Sequence, residues 1–350
     1  MKVLLYGEPI TPGSGVWCYR ETLAELGHEV VHYDSWTGIR HYWSSPLWRI
    51  WWRLTRRVRE SDRRTHGRGL VAAVERARPD IVIVLKGLFV GPDDVRAMKA
   101  SGAWVVIVNH DDFFSLNRAN ISAAQRAALP EWDHVFVTRE VNVDEVRPHN
   151  PSVEFFRFGY HPRVHYPVPV DPAAEPQWVS DVAFVGTWEK ERAALMEQLV
   201  QRVDADYAVW GSQWHKLRPW SPLRPYLRGP EIRLDDQCRA VGAAKVNLGF
   251  LRKKNRDEYT MRTFEIPACN GVLLAERTPS HEAIYRAGVE AEFFDAADPD
   301  DLADKVRRLL ADERRRESIR AAGLEAVRRG NHTYRDRLER LFEVYEAARG

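Results

Sequence analysis

Cysteine is scarce in this chain. Its 350 residues include three, Cys18, Cys238 and Cys269. The odd count argues against a disulfide framework, and their positions lack metal-ligand spacing. Long apolar runs are also missing. The opening MKVLLYGEPI is too short an apolar run for a signal peptide or a membrane span. Charge of one sign nearly cancels: the formal net value is +2. Overall charge therefore does not select nucleic acid, no such partner is expected, and a basic site has to be local. No internal repeat, low-complexity tract or Walker phosphate loop occurs. What remains is a globular composition, 44% hydrophobic and 29% charged, in a chain long enough for two domains. The expected location is the cytoplasm, free or peripheral at the inner membrane surface.

Short apolar strands alternate with helical stretches through both halves. Residues 2–6 read as a strand, 16–26 as a helix and 29–33 as a second strand. This is the opening βαβ unit of a doubly wound sheet. Its loop carries Gly13 and Gly15, an incomplete form of the dinucleotide fingerprint, and a plain tight turn is the alternative. Further strands are expected at 81–85, 104–108, 135–138 and 153–158. The strand at 104–108 runs into Asn109-His110-Asp111-Asp112. The carboxyl end of a parallel strand is where doubly wound folds bind ligands. His110 there suits bonding to a sugar hydroxyl or proton transfer. Asp111 and Asp112 are candidates for holding an acceptor, or else cap the next turn.

Residues 161–179 contain five prolines and no periodicity, which reads as a linker. A second strand–helix series starts at 182–186, with a helix over 190–203, a strand over 207–210, a surface loop over 214–230 and a helix over 234–243. Helices at 301–310, 314–328 and 334–348 close the chain. The expected organisation is a first domain at 1–165, a linker at 166–180, a second domain at 181–330 and a C-terminal helix at 331–350 that returns to the first domain. Two doubly wound α/β halves with a cleft between them describe a two-domain enzyme.

Residues 41–69 combine tryptophan with arginine. On one helix Leu47, Trp51, Leu54 and Val58 share a stripe, with Arg49, Arg53, Arg56 and Arg57 mostly opposite and Trp48 and Trp52 widening the apolar side. Two readings fit. The stripe packs on the core of its domain, or residues 43–60 meet an anionic membrane or an acceptor, with Trp51 in contact.

Residues 257–271, DEYTMRTFEIPACNG, lie between two buried strands and follow the basic triplet Arg252, Lys253, Lys254. A helix start beside a basic loop suits an anion. Asp257 and Glu265 would repel a bare phosphate but suit the hydroxyls of a ligand carrying both phosphate and sugar. That combination points to a nucleotide sugar.

Three phrases in the second half, in order, resemble the retaining GT-B glycosyltransferases, in particular the group related to the spore-maturation CgeB-like proteins. They are DVAFVG at 181–186 with Glu191-Arg192, RTFE at 262–265 with Pro267-Ala268-Cys269, and HTY at 332–334 with Arg337. The resemblance covers about 181–341. It implies a GT-B fold of two Rossmann-like domains, a nucleoside-diphosphate sugar as co-substrate, no separate cofactor and no metal. In the wider family two glutamates are separated by seven residues. Here Asp257 takes the first place and Glu265 the second, with Glu258 one step out of register. Glu265 would bond the ribose and Asp257 would lie near the donor sugar. Gly186 and Thr187 would form the phosphate-side turn. Tyr259, Met261, Arg262, Thr263 and Phe264 would border the donor. Asn270 replaces the usual helix-closing glycine and tolerates the same left-handed conformation.

Departure of a diphosphate builds charge on its oxygens, and cations aimed at them are the largest available effect. Lys190, Arg192, Arg252 and Lys253 are the candidates. The implied activity is transfer of a sugar to an acceptor hydroxyl with retention. The alternatives are a nucleotide-sugar epimerase, and a non-catalytic protein of this fold that docks through its Trp/Arg segment.

Overall fold

The computed structural model describes residues 1–55, 57–115 and 120–350, so Arg56 lies outside the described residues. The chain forms two compact units. Unit 1 is Met1–Phe158 with Lys253–Arg256 and Tyr334–Gly350, and unit 2 is Gly159–Arg252 with Asp257–Thr333.

Unit 1 contains, in chain order, β1 (Lys2–Gly7), α1 (Gly15–Glu25), β2 (Glu29–Asp34), α2 (His41–Ser44), α3 (Pro46–Thr55), α4 (Glu60–Ala77), β3 (Ile81–Leu85), α5 (Pro92–Ala100), β4 (Trp104–Asn109), α6 (Ala123–Ala127), β5 (His134–Val137), α7 (Glu140–Val146) and β6 (Val153–Phe155). Its sheet has the order β2-β1-β3-β4-β5-β6 and is parallel throughout. The runs VLLY, IVIVL and WVVIVN are buried along their length, as strands covered on both faces must be. The order of connection reverses between β1 and β3, which puts this sheet's switch point at their carboxyl ends.

Unit 2 contains β7 (Ser180–Val185), α8 (Lys190–Arg202), β8 (Tyr207–Trp210), β9 (Leu227–Gly229), α9 (Leu234–Ala243), β10 (Ala244–Gly249), α10 (Arg262–Ala268), β11 (Leu273–Glu276), α11 (Pro279–Ile284), β12 (Glu292–Phe294), α12 (Pro299–Ala311) and α13 (Glu313–Arg329). The sheet order is β12-β11-β10-β7-β8-β9, again parallel. Alternate residues supply its two faces. Val182, Phe184, Val246 and Leu274 enter one core, and Ala183, Val185, Leu273 and Ala275 enter the other. The switch point lies between β7 and β10.

The last helix, α14 (Tyr334–Arg349), belongs to unit 1, as expected. Leu338, Leu341 and Tyr345 are buried. The rings of Tyr345 and Trp104 lie 5.4 Å apart, and those of Phe342 and His28 4.4 Å apart.

Several local expectations change. The Trp/Arg segment is not one helix: α3 stops at Thr55 and a new helix starts at Glu60. Val58 is therefore off the stripe. The stripe does not pack on the core, since Leu47 is 79% exposed and Leu54 80%. The expected loop at 214–230 contains β9 and buries Trp214, Leu217 and Leu223. The strand expected to reach 158 stops at Phe155, and the expected linker at 166–180 lies within unit 2. The short helices α6, α7 and α11 and the three-residue strand β12 carry too few turns or alternations to register as periodicity.

Candidate functional site

The carboxyl ends of β7 and β10 gather the chemistry of unit 2. The turn after β7 carries Gly186 and Thr187. It is braced from the next loop: Trp188 N donates to Ser212 O (2.9 Å), and the Thr187 and Ser212 hydroxyls lie 3.0 Å apart. Trp214 Nε1 donates to Gly186 O at 2.9 Å. Arg192, in the first turn of α8, joins the two loops of the switch point. Its Nη1 donates to Thr187 O at 2.6 Å and its Nη2 reaches Phe250 O at 3.5 Å. Its Nε is buried with no hydrogen-bond partner among the described residues. Burial depresses its pKa from the usual guanidinium value, and Arg252 acts in the same direction against Glu189, Glu276 and Asp257. An arginine stays charged regardless. The result is a desolvated cation with a spare donor at the start of α8.

Arg252 Nε lies 3.2 Å from Asp257 Oδ2, and Asp257 is 8% exposed. Glu258 turns away: its carboxylate accepts from Ser280 Oγ, and its carbonyl accepts from Thr278 Oγ1 at the start of α11. The structure thus puts Asp257, not Glu258, beside the cations. Leu251 N donates to Glu276 Oε1 at 2.9 Å, a third carboxylate at this end of the sheet.

Glu265 is 5% exposed. It pairs with Arg262 and lies 3.4 Å from His165 Nε2 and 3.4 Å from Gln237 Nε2. Burial raises its pKa, but Arg262 and His165 outweigh that and hold it below the ordinary carboxylate range. Arg262 Nε also donates to Val185 O at 3.1 Å, which ties α10 to the end of β7. The other expected donor residues divide. Met261 is 39% exposed and Lys190 is exposed at the start of α8. Tyr259, Thr263 and Phe264 are buried, with Thr263 Oγ1 2.9 Å from His281 Nε2. The amides of Thr263 and Phe264 bond to the carbonyls of Thr260 and Met261, so they are committed within the chain. Lys253 belongs to unit 1. Pro267 falls inside the seven-residue α10, and Asn270 adopts the left-handed conformation (φ 62°).

In unit 1, Gly13 (φ 76°) leads into Ser14, whose Oγ caps α1 by accepting from Trp17 N at 3.2 Å. Gly15 is the first residue of that helix. His110 follows β4 with its Nε2 3.2 Å from Tyr19 Oη, and its ring lies against those of Tyr19 and Phe158. Burial lowers its pKa to about 4, with Arg139 and Lys86 adding to the effect against Asp111. It is a neutral imidazole at neutral pH.

The two aspartates beside it carry structural bonds. Asp111 pairs with Lys86 at 2.8 Å. Asp112, fully buried, takes both Nε and Nη2 of Arg256 (2.6 and 2.7 Å), Asn142 Nδ2 and the amide of Phe114. Burial pushes its pKa up, but Arg256, Asn142 and that amide more than reverse the effect. Asp112 therefore anchors the 253–256 segment.

The carboxyl ends of β1 and β3 enclose a hollow of about 150 Å³ lined by Glu8, Trp36, Trp43, Trp52, Lys86 and Phe89. Trp51 lines a larger neighbouring hollow of about 1000 Å³. Sequence reasoning missed Glu8, Lys86, His165, Gln237 and Glu276. Glu8 and Lys86 each follow a strand of the switch point, a position that strand prediction alone could have singled out. Glu276 likewise closes a strand, β11, whereas His165 and Gln237 had no local signal.

Both units are doubly wound parallel α/β domains, and the fold is that of GT-B proteins. Residues 190–343 match the family model described as Glycosyl transferase-like. The structure is similar to sucrose-phosphate synthase from Thermosynechococcus elongatus, with a TM-score of 0.72, 13% identity and coverage of 99% of this chain and 98% of that one. It is similar to Anabaena Alr3699/HepE in complex with UDP-glucose, with a TM-score of 0.70, 11% identity and coverage of 99% and 100%. A trehalose-6-phosphate synthase, described in connection with glycosyl transfer with retention, gives a TM-score of 0.67 at 12% identity and 99% coverage of both chains. No curated protein matches the sequence.

Proposed function

We propose that this protein transfers a sugar from a nucleoside diphosphate to an acceptor hydroxyl, with retention at the anomeric carbon and without a metal. The observation that carries the reading is Arg192: a desolvated guanidinium at the β7/β10 switch point whose Nε has no partner among the described residues, within the electrostatic reach of Arg252, Asp257 and Glu276. The match of residues 190–343 to a Glycosyl transferase-like model supports it.

In this reading the diphosphate lies at the Gly186-Thr187 turn, with Arg192, Arg252 and Lys190 neutralising the charge that builds as the sugar leaves. Glu265 meets the ribose through oxygens it now shares with Arg262, His165 and Gln237. A carboxylate accepts about four hydrogen bonds, so it can exchange or add one. Asp257 orients the donor sugar. His110, neutral and held by Tyr19, offers one ring nitrogen to a hydroxyl. The leaving phosphate takes the acceptor proton as the new glycosidic bond forms on the face it leaves. The tryptophan-lined hollow with Glu8 and Lys86 suits a hydroxyl-rich acceptor, because aromatic faces cover the apolar side of a sugar ring while charged groups bond its edge. Since Alr3699/HepE is recorded with UDP-glucose, UDP-sugars are the first donors to try.

A thermal-shift screen over UDP-, GDP-, dTDP- and ADP-sugars, followed by turnover with the stabilising donor, tests the proposal. One nucleotide should raise the melting temperature and be released as the diphosphate. No stabilisation by any of them, with no turnover, would falsify it.

A further inference from the structure

We propose that α3 docks this protein on the surface of an anionic lipid bilayer. Ten residues long, α3 presents three stripes. Trp48 and Trp52, four apart, pack inward with Trp43 and Val58 against Ile39, Tyr42 and Phe89. Leu47, Ile50, Trp51 and Leu54, at i, i+3, i+4 and i+7, face outward and are 79, 54, 39 and 80% exposed. Arg49 and Arg53 lie between these two faces. A helix with one apolar stripe buries it in its own domain. This one has a second, and nothing among the described residues covers it.

Charge identifies the occupant. Residues 46–59 hold five arginines and no aspartate or glutamate. Many arginines of this chain are paired with carboxylates. Arg49, Arg53, Arg57 and Arg59 are exposed and have no ion pair among the described residues. Arg59 instead lies over the rings of Trp48 and Trp51, 4.4 and 5.5 Å from their centroids. Trp51 Nε1 donates to Arg57 O at 3.0 Å. These contacts hold the apolar ridge and the arginines together. Leucine, isoleucine and tryptophan flanked by unpaired arginines match the acyl–headgroup boundary of an anionic leaflet. No helix among the described residues is long and apolar enough to cross a membrane, so α3 would lie in the interface plane. Vesicle binding and nucleotide binding are measured separately.

The test is co-sedimentation of the full chain with vesicles of phosphatidylcholine, alone or mixed with phosphatidylglycerol. The protein should bind the mixed vesicles and not the neutral ones, and binding should weaken as salt rises. The pair Leu47→Ser and Leu54→Ser should lower partitioning at least about tenfold. The pair Arg49→Glu and Arg53→Glu should lower it more than about tenfold, since each arginine at such a surface contributes about fivefold. Trp220, 76% exposed in unit 2, is the control, and Trp220→Ser should bind as the parent does. The proposal is overturned by failure of the parent to bind anionic vesicles, or by variants that bind unchanged. It is also overturned if the leucine pair abolishes self-association of a protein indifferent to vesicles, which would assign the face to a second copy.

Discussion

At the residue scale, burial acts on the ionisation of groups within each unit, and charged partners reverse it at Glu265 and Asp112. His110 shows the effect of burial most directly. Its pKa of about 4 in the folded chain lies below the roughly 6.5 of an unfolded histidine. Between these values the unfolded state binds the extra proton, so folding stability rises with pH across that window and is lost as pH falls from about 6.5 towards 4. Replacing His110 with Asn should flatten that rise by about 1.4 kcal/mol per pH unit, one proton's share. Denaturant unfolding at a series of pH values checks it. A slope unchanged in the variant would mean that His110 is not buried neutral. For turnover, a neutral His110 predicts no inflection near pH 6.5 that this substitution removes. Arg192 works in the opposite sense. It keeps its charge where desolvation is costly, and that makes it effective against an arriving diphosphate.

Elements position these residues, and the turn after β7 depends on one backbone contact. Gly211 has φ 151°, and a Cβ there would sit 1.9 Å from the Gly186 carbonyl oxygen. Gly211→Ala should therefore displace the Gly186–Trp188 turn, cost at least about 2 kcal/mol of stability and weaken nucleotide binding. Chemical denaturation and titration with the stabilising nucleotide read the two effects. The elements themselves were largely legible in the sequence. Runs such as IVIVL and WVVIVN announce buried parallel strands, and the glycines after residues 6, 26 and 185 mark where elements stop. The helix start near 262 was also legible, together with its acids and the left-handed Asn270. Pairings set by topology were not. Asp112 meets Arg256 across 144 positions, and Glu265 meets His165 and Gln237 from separate elements. No local pattern encodes such partners. The Trp/Arg segment misled for a different reason. Periodicity fits a helix there, but it does not say which side of a helix faces the protein, and α3 carries apolar residues on two.

On the scale of the whole molecule, α14 completes unit 1 from the far end of the chain. Leu338 and Leu341 are fully buried there, and Arg340 bonds Glu154 at 2.8 and 2.9 Å. Leu341→Ala should destabilise unit 1 by about 2–5 kcal/mol, seen as an earlier unfolding midpoint, while Arg340→Ala, an exposed pair, should cost under about 1 kcal/mol. The same scale carries the central claim, that the β7/β10 switch point of unit 2 binds the diphosphate of a nucleotide sugar through Arg192. Titration calorimetry of the full chain with the nucleoside diphosphate picked by the stability screen measures this most directly, for the parent and for Arg192→Ala. The account predicts one binding site in the parent and affinity at least about 100-fold weaker in the variant, by analogy with loss of a charged anion contact, with circular dichroism unchanged. Equal affinity in the two folded proteins would contradict it.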